Sequence, residues 1–288
     1  MLNDLQDFWP LSDRQIHYGL LNDPPLRHAR KPGSRYVNDK KSYNDLVDLL
    51  TRARLANEIP WNAIDDETRP VEVWSVHQDP SGFIRAETSE FLFGYWRDLM
   101  QSQPNHVEIL AEKNTVKDIV RPVAMEFCIP LTSGRGYSSL PPRKAMADRY
   151  RDSGKEQLVL LVVSDFDPDG EEIAHSFARS MRDDFGVIEI HPVKAALTAE
   201  QVQKFKLPNA MEAKATSSNA QKFVKKYGKD VFELEALPPA TLQHIIKEAI
   251  LGVIDVDAYN REVEQEKEDA AYIAAKRSAM LKSLGDGV

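Results

Sequence analysis

The sequence predicts an α/β protein: a mostly parallel sheet flanked by helices, preceded by a smaller helical N-terminal domain. Three observations carry this. The segment Leu158 to Val163 is an unbroken apolar run of six residues, the pattern of a strand buried on both faces, as in a parallel sheet. From Val107 onward, short apolar segments alternate with helical patterns, which implies βαβ units. The 288 residues are 42% hydrophobic and 28% charged, the balance of a globular chain long enough for a sizeable core.

The N-terminal part reads as helices and loops. Ser12 and Gln15 form a capping box at the start of a helix over 12–22. Pro24-Pro25 and Lys31-Pro32-Gly33 make 23–40 a loop. Tyr43, Leu46, Leu49, Leu50 and Ala53 have helical spacing, which predicts a second helix over 42–57. Val71 to Val76 partly alternates and is assigned as a strand. Two helices, a loop and a short β element are compatible with a winged-helix-like unit. Asp79-Pro80-Ser81-Gly82 is assigned as a linker, followed by a helix over 86–102.

The sheet region then follows. Strands are expected at 107–110, 128–132, 158–164, 187–191 and 231–234. Helices are expected at 115–127, 141–153, 170–184, 217–227 and 239–254. The charged segment 257–283 reads as a surface helix. The implied division is a winged-helix-like domain at 1–78, a linker and helix at 79–105, a sheet domain at 106–256, and a charged C-terminal helix at 257–288.

Bulk composition narrows the function class. A lone cysteine, Cys128, excludes an internal disulfide and a multi-cysteine zinc site, and suits a reducing compartment. There is no signal-peptide pattern and no apolar stretch near the ~18 residues that span a bilayer, so a cytoplasmic location without membrane contact is expected. The net charge is −8, but it is unevenly spread. Between Leu26 and Lys41, six bases (Arg27, Arg30, Lys31, Arg35, Lys40, Lys41) stand against Asp39 alone, a net of +5. From Asp255 onward, eight acids stand against five bases, a net of −3. The basic cluster is either a solvated loop or a track for a nucleic-acid backbone.

The candidate chemistry lies at strand ends. Pro168 and Gly170 stop the 158–164 strand, so Asp165, Asp167 and Asp169 gather at the carboxyl edge, where open α/β sheets bind ligands. Residues two apart in an extended chain point the same way. Glu112 ends an earlier strand and converges on the same edge. Mg²⁺ takes one or two carboxylates, keeps several waters and accepts phosphate oxygens, which suits this set. Acid-rich turns at strand ends are also often merely solvated. Gly134-Arg135-Gly136 is either a plain tight turn or a phosphate contact through Arg135.

The stretches Glu112-Lys113, Thr132-Ser133-Gly134-Arg135-Gly136-Tyr137 and Ser164-Asp165-Phe166-Asp167-Pro168-Asp169-Gly170 together resemble a Toprim domain. The version they are most similar to is that of the topoisomerase VI A subunit and the related meiotic double-strand-break protein, especially the compact stand-alone mini-A homologues of plasmids and phages. Phe232-Glu233-Leu234-Glu235-Ala236-Leu237-Pro238-Pro239 resembles a C-terminal stretch of that group. Ser12-Asp13-Arg14-Gln15-Ile16-His17-Tyr18 resembles its winged-helix motif, although His17 replaces the usual aromatic residue. The likeness spans roughly residues 10 to 75 and 105 to 255.

The resemblance implies a fold and a reaction. The fold is a winged-helix domain followed by a Toprim-type sheet. The reaction is Mg²⁺-dependent cleavage of double-stranded DNA, with Tyr18 as nucleophile and Arg14 beside it. Glu112, Asp165 and Asp167 are the implied metal ligands, with Asp169 matching the third acid of type IIA enzymes. A homodimer with Tyr18 facing the other subunit's metal site, a separate ATPase subunit, and a nucleoid-associated, phage or plasmid setting are implied as well. Two alternatives stay open: a hydrolytic Toprim nuclease that does not use Tyr18, and a non-cleaving DNA-binding assembly protein.

Overall fold

The structure is a computed structural model that describes residues 2–22, 25–64, 73–133, 140–212 and 218–285. Ten helices lie in these segments: α1 (Asp13–Leu21), α2 (Lys40–Leu55), α3 (Pro80–Glu90), α4 (Lys117–Glu126), α5 (Leu140–Ser153), α6 (Pro168–Phe185), α7 (Ala199–Phe205), α8 (Ser218–Tyr227), α9 (Pro239–Leu251) and α10 (Val256–Gly285). The strands are β1 (His106–Ala111), β2 (Leu131–Ser133), β3 (Leu158–Val163), β4 (Ile190–Ala196), β5 (Met211–Glu212) and β6 (Asp230–Val231).

The main sheet has four strands in the order β2-β1-β3-β4, all parallel. Every residue of β3 is buried, as its apolar run requires. Leu158, Leu160 and Val162 enter a core with Met146 and Ala147 of α5 and Ile173, Phe177 and Met181 of α6. On other parts of the sheet, α9 packs against β4 and α4, and α4 against β2. The mixed α/β architecture with a helix-flanked parallel sheet therefore stands as the sequence indicates.

Contacts divide the chain into two compact units, and the division does not follow chain order. One unit is 1–68 with 104–253; the other is 69–103 with 254–288. In the first unit, α1, α2 and the turn Trp61–Ala63 form a small core of Leu11, Ile16, Leu46, Leu50, Ala63 and Ile64. Ser12 and Gln15 make the expected reciprocal capping box. In the second unit, the 91–103 segment is tied to α10. Arg97 donates to Glu262 at 2.6 Å and to Asp269 at 2.7 Å.

Several sequence expectations need correction. Residues 73–77 form no strand, and Val73, Trp74 and Val76 are exposed. Residues 71 and 72, and with them part of the expected strand, lie outside the described residues. The residues assigned as a linker start α3: Asp79 accepts from the Gly82 N–H at 2.8 Å, and Pro80 takes the first helical position, where its missing N–H costs nothing. That helix is Pro80–Glu90 rather than 86–102. Cys128 lies in a turn with φ 55, and β2 starts only at Leu131. β4 is Ile190–Ala196 rather than 187–191, the strand expected at 231–234 is only Asp230–Val231 with a turn at Leu234–Ala236, and α7 and β5 lie where the sequence pattern indicates no element.

The β3–α6 connection is tight. Asp167 caps α6 by accepting from the Gly170 N–H at 2.6 Å, and Ser164 Oγ donates to the Gly170 carbonyl at 3.0 Å. A Cβ on Gly170 would lie 2.1 Å from the Asp165 carbonyl oxygen. Gly170→Ala is expected to lower stability by about 1–3 kcal/mol or more through overpacking. Gly33→Ala, with nothing within 4 Å of the added carbon, should stay within about 0.5 kcal/mol of the parent. Urea unfolding midpoints of the two variants check this.

Candidate functional site at the carboxyl edge of the sheet

The sheet register sets Ala111 beside Val163 and Ser133, so Glu112 and Ser164 emerge together at the edge. The Glu112 N–H donates to the Val163 carbonyl at 2.9 Å, and Glu112 Oε2 accepts from the Asp165 N–H at 3.1 Å. The first two implied ligands thus meet through backbone as well as sequence order. An antiparallel bridge between Phe166 and Phe232 brings the 232–236 segment to the same edge.

The three aspartates do not form the extended cup that their spacing suggests. The strand ends at Val163, Asp167 becomes the α6 cap, and Asp169 sits exposed in the first helical turn. Asp165 is buried. Its Oδ1 accepts from the Leu234 N–H at 2.9 Å, and its Oδ2 lies 2.6 Å from Lys113 Nζ.

Lys113 organises a charged cluster. Its ammonium also lies 3.0 Å from Glu235 and 3.8 Å from Glu233. Glu235 accepts in addition from Thr115 Oγ1 at 2.8 Å. Both oxygens of Glu233 accept from Arg14 Nη1, at 2.5 and 2.6 Å. Gln15 Nε2 of α1 donates to the Thr115 carbonyl at 3.2 Å. The helix bearing Tyr18 is therefore fastened to the acidic edge within one compact unit.

A cavity of about 290 Å³ opens beside this cluster, lined by Arg14, Tyr18, Lys40, Tyr43 and Glu233 among others. Tyr18 is only 3% exposed. Burial raises its pKa well above that of an ordinary phenol, the Glu233 charge adds to this, and Arg14 and Lys113 oppose it. Among the described residues no hydrogen bond holds the Tyr18 hydroxyl. His17 fills the aromatic position of the motif: its ring packs edge-on against Tyr18, Tyr36 and Tyr43, and its nitrogens bond Tyr36 Oη at 2.8 Å and Asn38 Oδ1 at 3.1 Å.

Among the described residues no group of three or more His, Cys, Asp or Glu side chains is arranged to hold a metal. Asp165 is paired with Lys113. The remaining pair still has the right chemistry. Burial raises the Glu112 pKa, its bond from the Asp165 N–H opposes this, and the Asp167 charge raises it further. Two carboxylates that repel each other in a partly buried setting suit a hard divalent cation, which commonly takes one or two protein carboxylates. Glu112 and Asp167 thus fit Mg²⁺, Asp165 only by exchanging its ammonium, and Asp169 is placed on the helix surface.

Arg27, Arg30, Lys31, Arg35, Lys40 and Lys41 are all exposed, and Lys41 pairs with Asp45 at 2.6 Å. Arg135 lies outside the described residues. Sequence reasoning gave no role to Lys113, Glu233 or Glu235. The available signal was the pair of glutamates flanking Leu234 in an apolar segment, where an acid needs a partner.

No family model, curated protein or solved structure matches this chain. No helix among the described residues is long and apolar enough to cross a membrane.

The cluster predicts a pH-dependent mutant. Lys113→Met leaves Asp165 and Glu235 buried without their ammonium, and should cost about 3–5 kcal/mol at pH 8. Burial pushes Asp165 up to about 7, against the pull of Lys113. A carboxyl whose folded pKa lies above its unfolded value favours folding while protonated, and this contribution disappears as pH rises through the folded pKa. The variant's deficit should therefore shrink at pH 5.5. Urea unfolding at both pH values measures it; an equal deficit at both would contradict the assignment.

Proposed function

We propose that this chain is a Mg²⁺-dependent DNA-cleaving transesterase similar to a type IIB topoisomerase A subunit, with a winged-helix-like N-terminal region and a Toprim-type sheet. The observation that carries it is the link between α1 and the sheet edge. Arg14 and Tyr18 face a cavity that shares Glu233 with the Lys113 cluster, and Lys113 in turn holds Asp165.

In this reading Tyr18 Oη attacks the phosphorus of a DNA phosphodiester as its proton is lost. The bond to the departing sugar oxygen breaks, that oxygen takes up a proton, and the chain becomes linked to DNA through a phosphotyrosine. Arg14 lies beside the attacking oxygen and places positive charge near the developing transition state. Glu112 and Asp167 would hold Mg²⁺, joined by Asp165 once it leaves Lys113. When bound, the ion neutralises charge on the phosphoryl oxygens. The exposed bases from Arg27 to Lys41 offer a track for the duplex backbone, whose neutralisation supplies most non-specific affinity. A homodimer and a separate ATPase subunit belong to the same proposal.

One observation favours a second reading. Tyr18 is buried and held protonated, which suits a hydrolytic nuclease in which it is only structural. Supercoiled plasmid incubated with Mg²⁺ separates the two, with and without protease before electrophoresis. The transesterase predicts a cut product visible only after proteolysis, lost by about 10⁴-fold or more in Tyr18→Phe and also lost in Asp165→Ala. Cutting by Tyr18→Phe at the parental rate with no protein–DNA adduct establishes the hydrolytic reading. No cutting by any protein leaves the DNA-binding assembly role.

A further inference from the structure

Tyr18 is hard to reach. It is 3% exposed and stands in the wall of the cavity of about 290 Å³ that Arg14, His17 and Tyr43 also line. A cavity of that volume is roughly 7 Å across if its sides are equal, narrower than the ~12 Å major groove of a duplex. A base-paired helix therefore stays outside, and its backbone cannot carry a phosphate down to the Tyr18 hydroxyl. The volume lies at the small end of ligand pockets, which begin at roughly 300 Å³, so it admits one flat ring system and not a stacked pair.

The lining suits such a ring with phosphates attached. His17 packs edge-on against both tyrosines, with ring centroids 5.4 Å from Tyr18 and 5.3 Å from Tyr43. The Arg14 guanidinium lies 5.8 Å from the Tyr43 centroid, so an aromatic ring and a positive charge meet inside one cavity. Lys40, exposed at the start of α2, stands at the mouth, close to the end of the basic run that begins at Arg27. The two acids in the lining are both engaged. Glu233 is held by Arg14 at 2.5 Å, and Asp39 caps α2 by accepting from the Ser42 N–H at 2.7 Å.

We infer that the cavity takes a single nucleotide extruded from its helix, with the base inward and the flanking phosphates at Arg14 and Lys40. The DNA on which this chain acts is then unpaired at the reacting phosphate. The inference rests on the transesterase reading and narrows its substrate. Enzymes that work on a nucleotide in a recessed pocket turn it out of the stack, at a cost of a few kcal/mol that falls when the base is already unpaired. Stacking on aromatic rings beside a guanidinium offsets part of that cost, and it tolerates any sequence because every base has a π-face.

Fluorescence anisotropy without Mg²⁺, so that nothing is cut, tests this. It compares two labelled duplexes of one sequence, one fully paired and one with a single bulged nucleotide. The parent should bind the bulged duplex about 10-fold or more tightly, because the extrusion is already made. Tyr43→Ala should bind the bulged duplex about 5- to 100-fold more weakly than the parent, the worth of one base–aromatic stack. It should bind the paired duplex as the parent does, which shows that it folds. Tyr43→Phe keeps the ring and should keep the preference. Equal affinity of the parent for the two duplexes, no binding of either, a preference that survives Tyr43→Ala, or one lost in Tyr43→Phe overturns the inference. Adding Mg²⁺ to the same duplexes scores the covalent adduct separately. A bulge preference without any adduct defeats the transesterase and leaves the cavity assignment standing. An adduct formed equally fast on both duplexes keeps the transesterase and overturns the cavity assignment.

Discussion

The ammonium of Lys113 lies within 4 Å of three carboxylates, Asp165, Glu233 and Glu235, and the carboxyl edge of the sheet depends on it. Each of those acids stands next to a backbone feature that shapes the site. Asp165 follows the end of β3, Glu233 precedes the turn Leu234–Ala236, and Glu235 lies within it. Without a cation between them, like charges this close and this poorly hydrated repel by several kcal/mol. Burial alone lowers the proton affinity of Lys113; Glu235, Asp165 and Glu233 together outweigh it and keep the ammonium charged. A pair of this kind adds little net stability over an apolar replacement, but losing one partner is costly. Its effect is therefore to fix geometry: residues more than 50 positions apart meet at a single nitrogen.

The same network decides how Tyr18 sits. Glu233 bridges Lys113 and Arg14, and Arg14 is separated from it by 219 positions. Closing a loop of that length is not much more costly than closing one of half the length, since the penalty grows only with the logarithm. Local packing then does the rest. The buried pair Gln15 and His17 sets the helix rotation: Gln15 reaches the Thr115 carbonyl, and His17 is locked among tyrosines. Between these two, the neighbouring turn of α1 carries Arg14 and Tyr18 toward one cavity.

How much of this was legible in the sequence varied with the kind of signal. The β3 run and the Ser12–Gln15 box are local and self-sufficient, and both appear as expected. Asp79-Pro80 failed because one dipeptide serves two purposes: it opens turns, and it also caps a helix with proline at the first position. Val71 to Val76 failed because alternation alone makes no strand; the described part of it, 73–77, makes no ladder with any described strand. At the site, Glu112 and Asp165 were found from their strand ends, and their meeting follows from parallel register. The role of Lys113 was out of reach, because it depends on Glu233 and Glu235 returning from more than 100 residues away. Nothing in the spacing of Asp165, Asp167 and Asp169 reveals that the chain enters a helix at Pro168 with Asp167 as its cap, which parts the three side chains.

Charge balance sets what the site demands of a nucleophile. The cluster holds Glu233 and Glu235 against Lys113 and Arg14, and Asp165, pushed up to about 7 by burial, adds a further negative charge only as pH rises through that value. Burial raises the pKa of Tyr18, and the charges of Glu233 and Glu235 raise it further against Arg14 and Lys113. In the proposed reaction an approaching phosphate would add further negative charge. Loss of the Tyr18 proton would then need positive charge brought nearer, and Arg14 would supply it. Its side chain is 43% exposed, against 22% for Lys113, so its hold on Glu233 is screened by water and yields more easily. In the proposed reaction Lys113 would stay as the charge that keeps the edge assembled, while the more exposed Arg14 would turn from Glu233 to an anion in the cavity.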